Sequence, residues 1–175
     1  AMLTRADKES LGFEGHPLER SMYESVLASP GVHRCEGGEW GFVGPLEGHP
    51  DRLIDVWKAL DARLLSEPTH AVRVDDLFRL LKCPPYGLKE GPLPLLLCAY
   101  LLSRDDQVVM YEDSAFVPRP GLEHFERLTR NPQKFSLQQY SLTSESRRLV
   151  ESMGQDRGGE RGLVSFLRVI YRSVA

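Results

Sequence analysis

A chain of 175 residues with 41% hydrophobic and 27% charged side chains has the composition of a folded globular protein and not of a disordered one. Its formal net charge of −3 argues against a chain built to coat nucleic acid, and no apolar run reaches the ~18–20 residues that span a bilayer. Three cysteines at wide spacings, Cys35, Cys83 and Cys98, suit reduced thiols, so a cytoplasmic location is expected.

The first residues, AMLTRADKES, lack the hydrophobic block of a secretory signal, and Ala1 ahead of Met2 reads as the remnant of a removed tag. Residues 1–16 are expected to be a flexible N-terminus. From Pro17 to Leu27 the spacing of Leu18, Met22, Val26 and Leu27 predicts a helix with those four side chains on its buried face. SPG at 29–31 ends it, and VHRCEGGEWGFV alternates around Gly37–Gly38 as a β-hairpin does. Residues 17–45 thus form a helix plus hairpin, a partial winged-helix-like subdomain.

GPLEGHP (44–50) is the best internal boundary. Beyond it Asp51 is expected to cap a helix over 51–66, with Leu53, Ile54, Trp57, Leu60 and Leu64 at helical spacing. HAVRV (70–74) reads as a short strand and Asp75–Leu81 as a helix. CPPYGLKEGPLPLLLCAYLL then passes through a proline- and glycine-rich turn into an apolar helix ending near Ser103. Pro92 and Pro94 fit the first helical turn, where missing N–H groups cost little. QVVMY (107–111) and AFVP (115–118) predict a hairpin around Asp113–Ser114. Helix, strand, helix, turn, helix and two-stranded wing is the winged helix-turn-helix order, and it covers 51–119. Residues 120–175 read as a helical C-terminal extension: GLEHFERLTR (121–130), a strand in KFSLQQYSLT (134–143), SESRRLVESM (144–153), an exposed loop (155–162) and a last amphipathic helix. That helix stops without a polar tail, as if the chain were cut from a longer protein. The expected fold class is mainly α with short β-hairpins, an α+β protein with a winged helix-turn-helix-like unit plus additional helices.

A DNA-reading helix needs Arg, Lys, Asn or Gln on an exposed face. Leu93–Leu102 carries none, and its only polar group is the Tyr100 hydroxyl, so the third helix is expected to be buried. Residues 86–120 hold three basic and five acidic residues, among them Glu112 and Asp113 in the wing. That net of −2 repels phosphate. Residues 121–175 carry nine basic and six acidic residues, which keeps open an alternative nucleic-acid contact through Arg147, Arg148, Arg157 and Arg161. Pairs such as Glu123–Arg127 and Glu126–Arg130 on a solvated face are the plainer explanation of these charges.

Chemistry is not marked. GxxxxGK[ST] and GxGxxG are absent, and so is the G-x-S-x-G elbow. His33–x–Cys35 is a lone close pair of metal-ligating types, and His16, His49, His70 and His124 stand at no ligand spacing. Cys98 lies in the apolar helix, and Asp75–Asp76 suits a helix start. No catalytic, cofactor-binding or metal-binding residue is assigned, and no cofactor is expected.

PPYGLKEGPLPLLLCAYLL, VVMYEDSAFVP and FERLTRNPQKFSLQ resemble an internal segment of very large bacterial P-loop ATPases, including those of BREX-type phage-defence systems. The likeness covers about residues 75–140, with weaker likeness in RSMYESVL and GEWGF, and its mark is Pro84, Pro85, Tyr86 and Gly87. It implies a non-catalytic interaction or structural module of a nucleotide-driven machine serving phage defence or DNA transactions. Its partner would be the rest of the parent protein or another protein. The nucleotide motifs of the family are missing here, so ATP binding carries over to no residue. Tyr86 is the expected partner contact, and an autonomous enzyme is the remaining alternative.

Overall fold

The computed structural model describes residues 1–15, 17–67, 70–105 and 107–139. The described residues form two compact units, one from 1–62 with 78–103 and the other from 63–77 with those from 104 onward. The span 51–119 contributes to both. The described residues form an α+β structure with two small antiparallel sheets, and no helix among them is long and apolar enough to cross a membrane.

In the first unit α1 (Leu18–Tyr23) runs into a π-helical turn, Glu24–Ala28. The buried positions are Tyr23 and Leu27, whereas Leu18 is 89% and Met22 44% exposed. The predicted apolar face is therefore corrected. The helix is six residues long, and at about 100° per residue Leu18 and Met22 lie roughly 140° and 100° around it from Tyr23, the side chain that faces the core. β1 (His33–Glu36) and β2 (Glu39–Phe42) form the expected hairpin, with Gly37 and Gly38 both at positive φ as a type I′ turn requires.

α2 (Leu53–Leu65) begins two residues later than expected. Asp51 does not cap it: its carboxylate faces His49 Nδ1 at 3.5 Å. α4 (Leu93–Ser103) is apolar all round and correspondingly buried, with Leu93 and every residue from Leu96 to Leu101 inside. Two hydrogen bonds register it on α2. The Tyr100 hydroxyl donates to Asp61 Oδ1 (2.7 Å), and Trp57 Nε1 donates to Ser103 Oγ (3.0 Å). The Trp57 and Tyr100 rings meet edge to face at 5.8 Å.

The second unit is built on a four-stranded sheet. β3 (Val72–Arg73) leads directly into α3 (Val74–Lys82), whose first turn carries Asp75 and Asp76. β4 (Val108–Glu112) and β5 (Ala115–Val117) make the wing hairpin, followed by α5 (Leu122–Arg130) and β6 (Phe135–Gln139). The strand order is β3-β6-β4-β5, so β6 lies between the short strand and the wing. Val72, Leu137, Met110 and Val117 stand in register across all four strands, and all are buried. Phe135 and Leu137 supply the inward positions of β6, which is the alternation its sequence shows.

The wing turn has a measurable weakness. Asp113 and Ser114 adopt φ of 47° and 68°, a type I′ geometry that favours glycine at the second position. Ser114→Gly is expected to stabilise the protein by about 0.5–1 kcal/mol, read as a higher urea midpoint at unchanged m-value.

Candidate interaction surface

An exposed turn in the first unit joins α3 to α4. Leu81 is buried at the end of α3, and Leu88 N–H donates to its carbonyl at 2.9 Å. That bond closes the base of the turn. Between these two residues the Cys83 carbonyl accepts from the N–H groups of Tyr86 and Gly87, each at 3.1 Å, and the Pro84–Pro85 peptide is cis. Gly87 takes φ of 61°, a left-handed conformation in which a side chain is disfavoured. Downstream, Leu93 N–H donates to the Glu90 carbonyl and Leu96 N–H to that of Pro92, so the turn feeds straight into buried α4. Two prolines restrict the backbone and three hydrogen bonds pin it, which gives an exposed turn on a fixed mount.

Tyr86 is half-buried, and Lys82, Pro84, Pro85 and Lys89 are exposed. Among the described residues the Tyr86 hydroxyl has no hydrogen bond and its ring no aromatic neighbour. An amphipathic ring without an internal partner suits a contact with another molecule. Sequence reasoning singled out Tyr86 but not the two lysines, each of which follows one of the residues joined by the Leu81–Leu88 bond.

The other sequence-marked residues divide sharply. Arg147, Arg148, Arg157 and Arg161 lie outside the described residues, as do the helices expected over 144–153 and near the C-terminus and the loop over 155–162. Of the basic residues that are described beyond 120, two are engaged locally. Arg127 forms a bidentate pair with Glu112 (2.6 and 2.7 Å), and Lys134 Nζ meets Asp113 Oδ2 at 3.1 Å. The expected Glu123–Arg127 pair is thereby corrected, because the folded wing brings a better-aligned carboxylate to the guanidinium. The wing acids, read as repelling phosphate, are in fact neutralised by cations that come after them in the chain.

The Arg127 hydrogen bonds hold the Glu112 carboxyl below its ordinary value near 4.5, with the Arg127 charge adding to the effect. A carboxylate with a depressed folded pKa stabilises above that ordinary value, and the contribution is lost as pH falls through the lower folded value. Glu112→Gln is therefore expected to lower the urea midpoint at neutral pH, with parent and variant converging in acid. A gap that persists unchanged at low pH would count against the pair.

His33, His124 and His49 make hydrogen bonds within the fold. His33 is 1% exposed, with Nδ1 at 2.8 Å from the Tyr23 hydroxyl and Nε2 at 2.8 Å from the Ala6 carbonyl. A carbonyl only accepts, so Nε2 carries the hydrogen and Nδ1 takes one from Tyr23. Burial first, then the Glu9 and Glu24 carboxylates, raise Tyr23 above the ordinary phenol range and keep that hydroxyl protonated. Trp40 stacks on the His33 ring at 5.4 Å and Phe42 lies 4.9 Å away. His124 Nδ1 accepts from the Gly121 N–H at the start of α5. His49 contacts Ser29 and the Asp51 backbone, and Cys35 is exposed on β1 beside His33. Among the described residues no three His, Cys, Asp or Glu side chains gather as metal ligands.

The thiols show the same split between outside and inside. Cys35 and Cys83 are exposed, while Cys98 is 6% exposed and burial pushes its thiol up to about 12. A thiol-reactive disulfide reagent is expected to label the first two readily in the native protein and Cys98 only on unfolding. Fast labelling of Cys98 would place α4 elsewhere. Compared with known proteins, the chain matches no protein-family model, no curated protein and no solved structure.

Proposed function

We propose that this chain is a non-catalytic, winged-helix-like interaction module of a larger nucleotide-driven bacterial machine, and that the Cys83–Gly87 turn is its contact with a partner. The single observation that carries the reading is the turn itself: exposed Pro84 and Pro85 beside a half-buried Tyr86 that has no hydrogen bond among the described residues, on a turn fixed to a buried helix. The order α2, β3, α3, α4, β4, β5 supports the winged-helix comparison. The insertion of β6 between β3 and β4 is a variation on it. In a DNA-reading winged helix the third helix offers polar side chains to base edges. Here α4 spends its surface on the core, so the architecture favours assembly over base reading. The resemblance of the PPYG stretch to a segment of P-loop ATPases supplies the expected setting.

The test has two parts. The full reading frame is expected to encode a GxxxxGK[ST] motif beyond this chain, and a frame closing at Ala175 would overturn the module reading. In the intact protein, Tyr86→Ala is expected to weaken assembly with its partner while leaving the circular-dichroism spectrum unchanged. Normal assembly by a well-folded variant would remove the turn from the contact.

A further inference from the structure

Taking the interaction-module reading as its basis, we propose that the turn docks an acidic polypeptide segment, with carboxylates on Lys82 and Lys89 and an apolar side chain against Pro84, Pro85 and Tyr86. In the same unit, Arg20, Arg34, Arg52 and Lys58 are engaged by Glu24, Glu36, Asp55 and Glu47. Lys82 and Lys89, like Lys8 in the N-terminal segment, have no ion pair among the described residues. The two lysines come directly after Leu81 and Leu88, the residues joined by the hydrogen bond that closes the turn. Two cations without partners are thus carried at one place on the backbone, on either side of Tyr86.

The charge pattern agrees with this placement. Residues 79–91 hold three basic side chains and one acidic, a net of +2, in a chain whose formal charge is −3. The side-chain groups at the turn without a partner among the described residues are two ammoniums, a phenol and the Glu90 carboxylate, so cationic donors outnumber the one anion. Their complement is an acceptor that carries negative charge, and carboxylates fit. Phosphodiesters are acceptors too. Two cations, however, neutralise few phosphates, whereas nucleic-acid affinity is built from many such contacts. The exposed prolines and the tyrosine ring add the apolar surface on which protein contacts concentrate their energy. Of the two partner classes, an acidic polypeptide matches both properties of the turn.

Fluorescence anisotropy with the whole chain tests this. The probes are a short labelled peptide rich in glutamate with one central leucine, its counterpart with glutamine for every glutamate, and a labelled DNA duplex. The glutamate peptide is expected to bind, to weaken as salt is raised, and to exceed the glutamine peptide by about tenfold. Lys82→Glu combined with Lys89→Glu should weaken it by about tenfold or more, while Lys8→Glu leaves it unchanged. Equal binding of the two peptides, or indifference to the double reversal, would overturn the proposal. So would tighter binding of the duplex that is lost in the same double variant, since that assigns the site to nucleic acid. If Tyr86→Ala disrupts the assembled machine yet the glutamate peptide does not bind, the charge assignment alone falls. If Tyr86→Ala changes neither, the interaction reading falls with it.

Discussion

Tyr100→Ala is expected to cost about 3–5 kcal/mol of folding stability, the range for truncating a large buried aromatic side chain. Tyr100 is fully buried on α4, with its ring edge-on to Trp57 and its hydroxyl bonded to Asp61. Alanine removes the ring and leaves a cavity between two helices that pack through this side chain. Tyr100→Phe separates the two contributions. It keeps the volume and loses the 2.7 Å hydrogen bond, so about 1 kcal/mol is expected. Urea unfolding of both variants gives the answer. A phenylalanine variant as damaged as the alanine variant would mean that the Asp61 bond, and not packing, holds α4 on α2.

His33→Phe is the second large effect, with an expected loss of about 2–4 kcal/mol. The substitution preserves an aromatic ring among Tyr23, Trp40 and Phe42 but strips both hydrogen bonds from it. The Tyr23 hydroxyl and the Ala6 carbonyl are then left without the partner each has now. An unsatisfied buried polar group costs about 1–3 kcal/mol, and because the Ala6 carbonyl is only part-buried the two together fall in the lower part of the doubled range. Because Ala6 belongs to the N-terminal segment, limited proteolysis offers a local readout besides the global one. Faster cleavage within residues 1–12 of the variant is expected. An unchanged cleavage rate together with an unchanged unfolding midpoint would show that His33 is there only for its ring.

His33 also shows how far sequence inspection reaches. Beside Cys35 it looks like half of a metal pair, yet the fold turns its two nitrogens to a tyrosine ten residues earlier and a carbonyl twenty-seven residues earlier. Arg127 is similar. Its helical neighbour Glu123 is the obvious partner, and the one it takes is Glu112 on the wing. In both instances the local candidate is offered by spacing, and a distant group with better geometry displaces it. Short α1 adds a third example: its spacing offers Leu18 and Met22 as the buried face, and the packed chain turns Tyr23 inward instead.

What sequence alone determined is everything governed by short-range rules. Gly37–Gly38 and Asp113–Ser114 placed the two hairpins, because a type I′ turn requires positive φ at adjacent residues. The unbroken apolar run of α4 announced its burial, because a helix without a polar face has no stable place in water. The prolines and Gly87 marked a stiff turn in front of it. Only the tertiary structure could decide what depends on contacts between distant residues: the central position of β6 in its sheet, the wing acids paired with Arg127 and Lys134, and the Leu81–Leu88 hydrogen bond that closes the PPYG turn. Backbone pairing and charge pairing are selected by proximity in the folded chain, and that proximity exists only after the apolar side chains have packed.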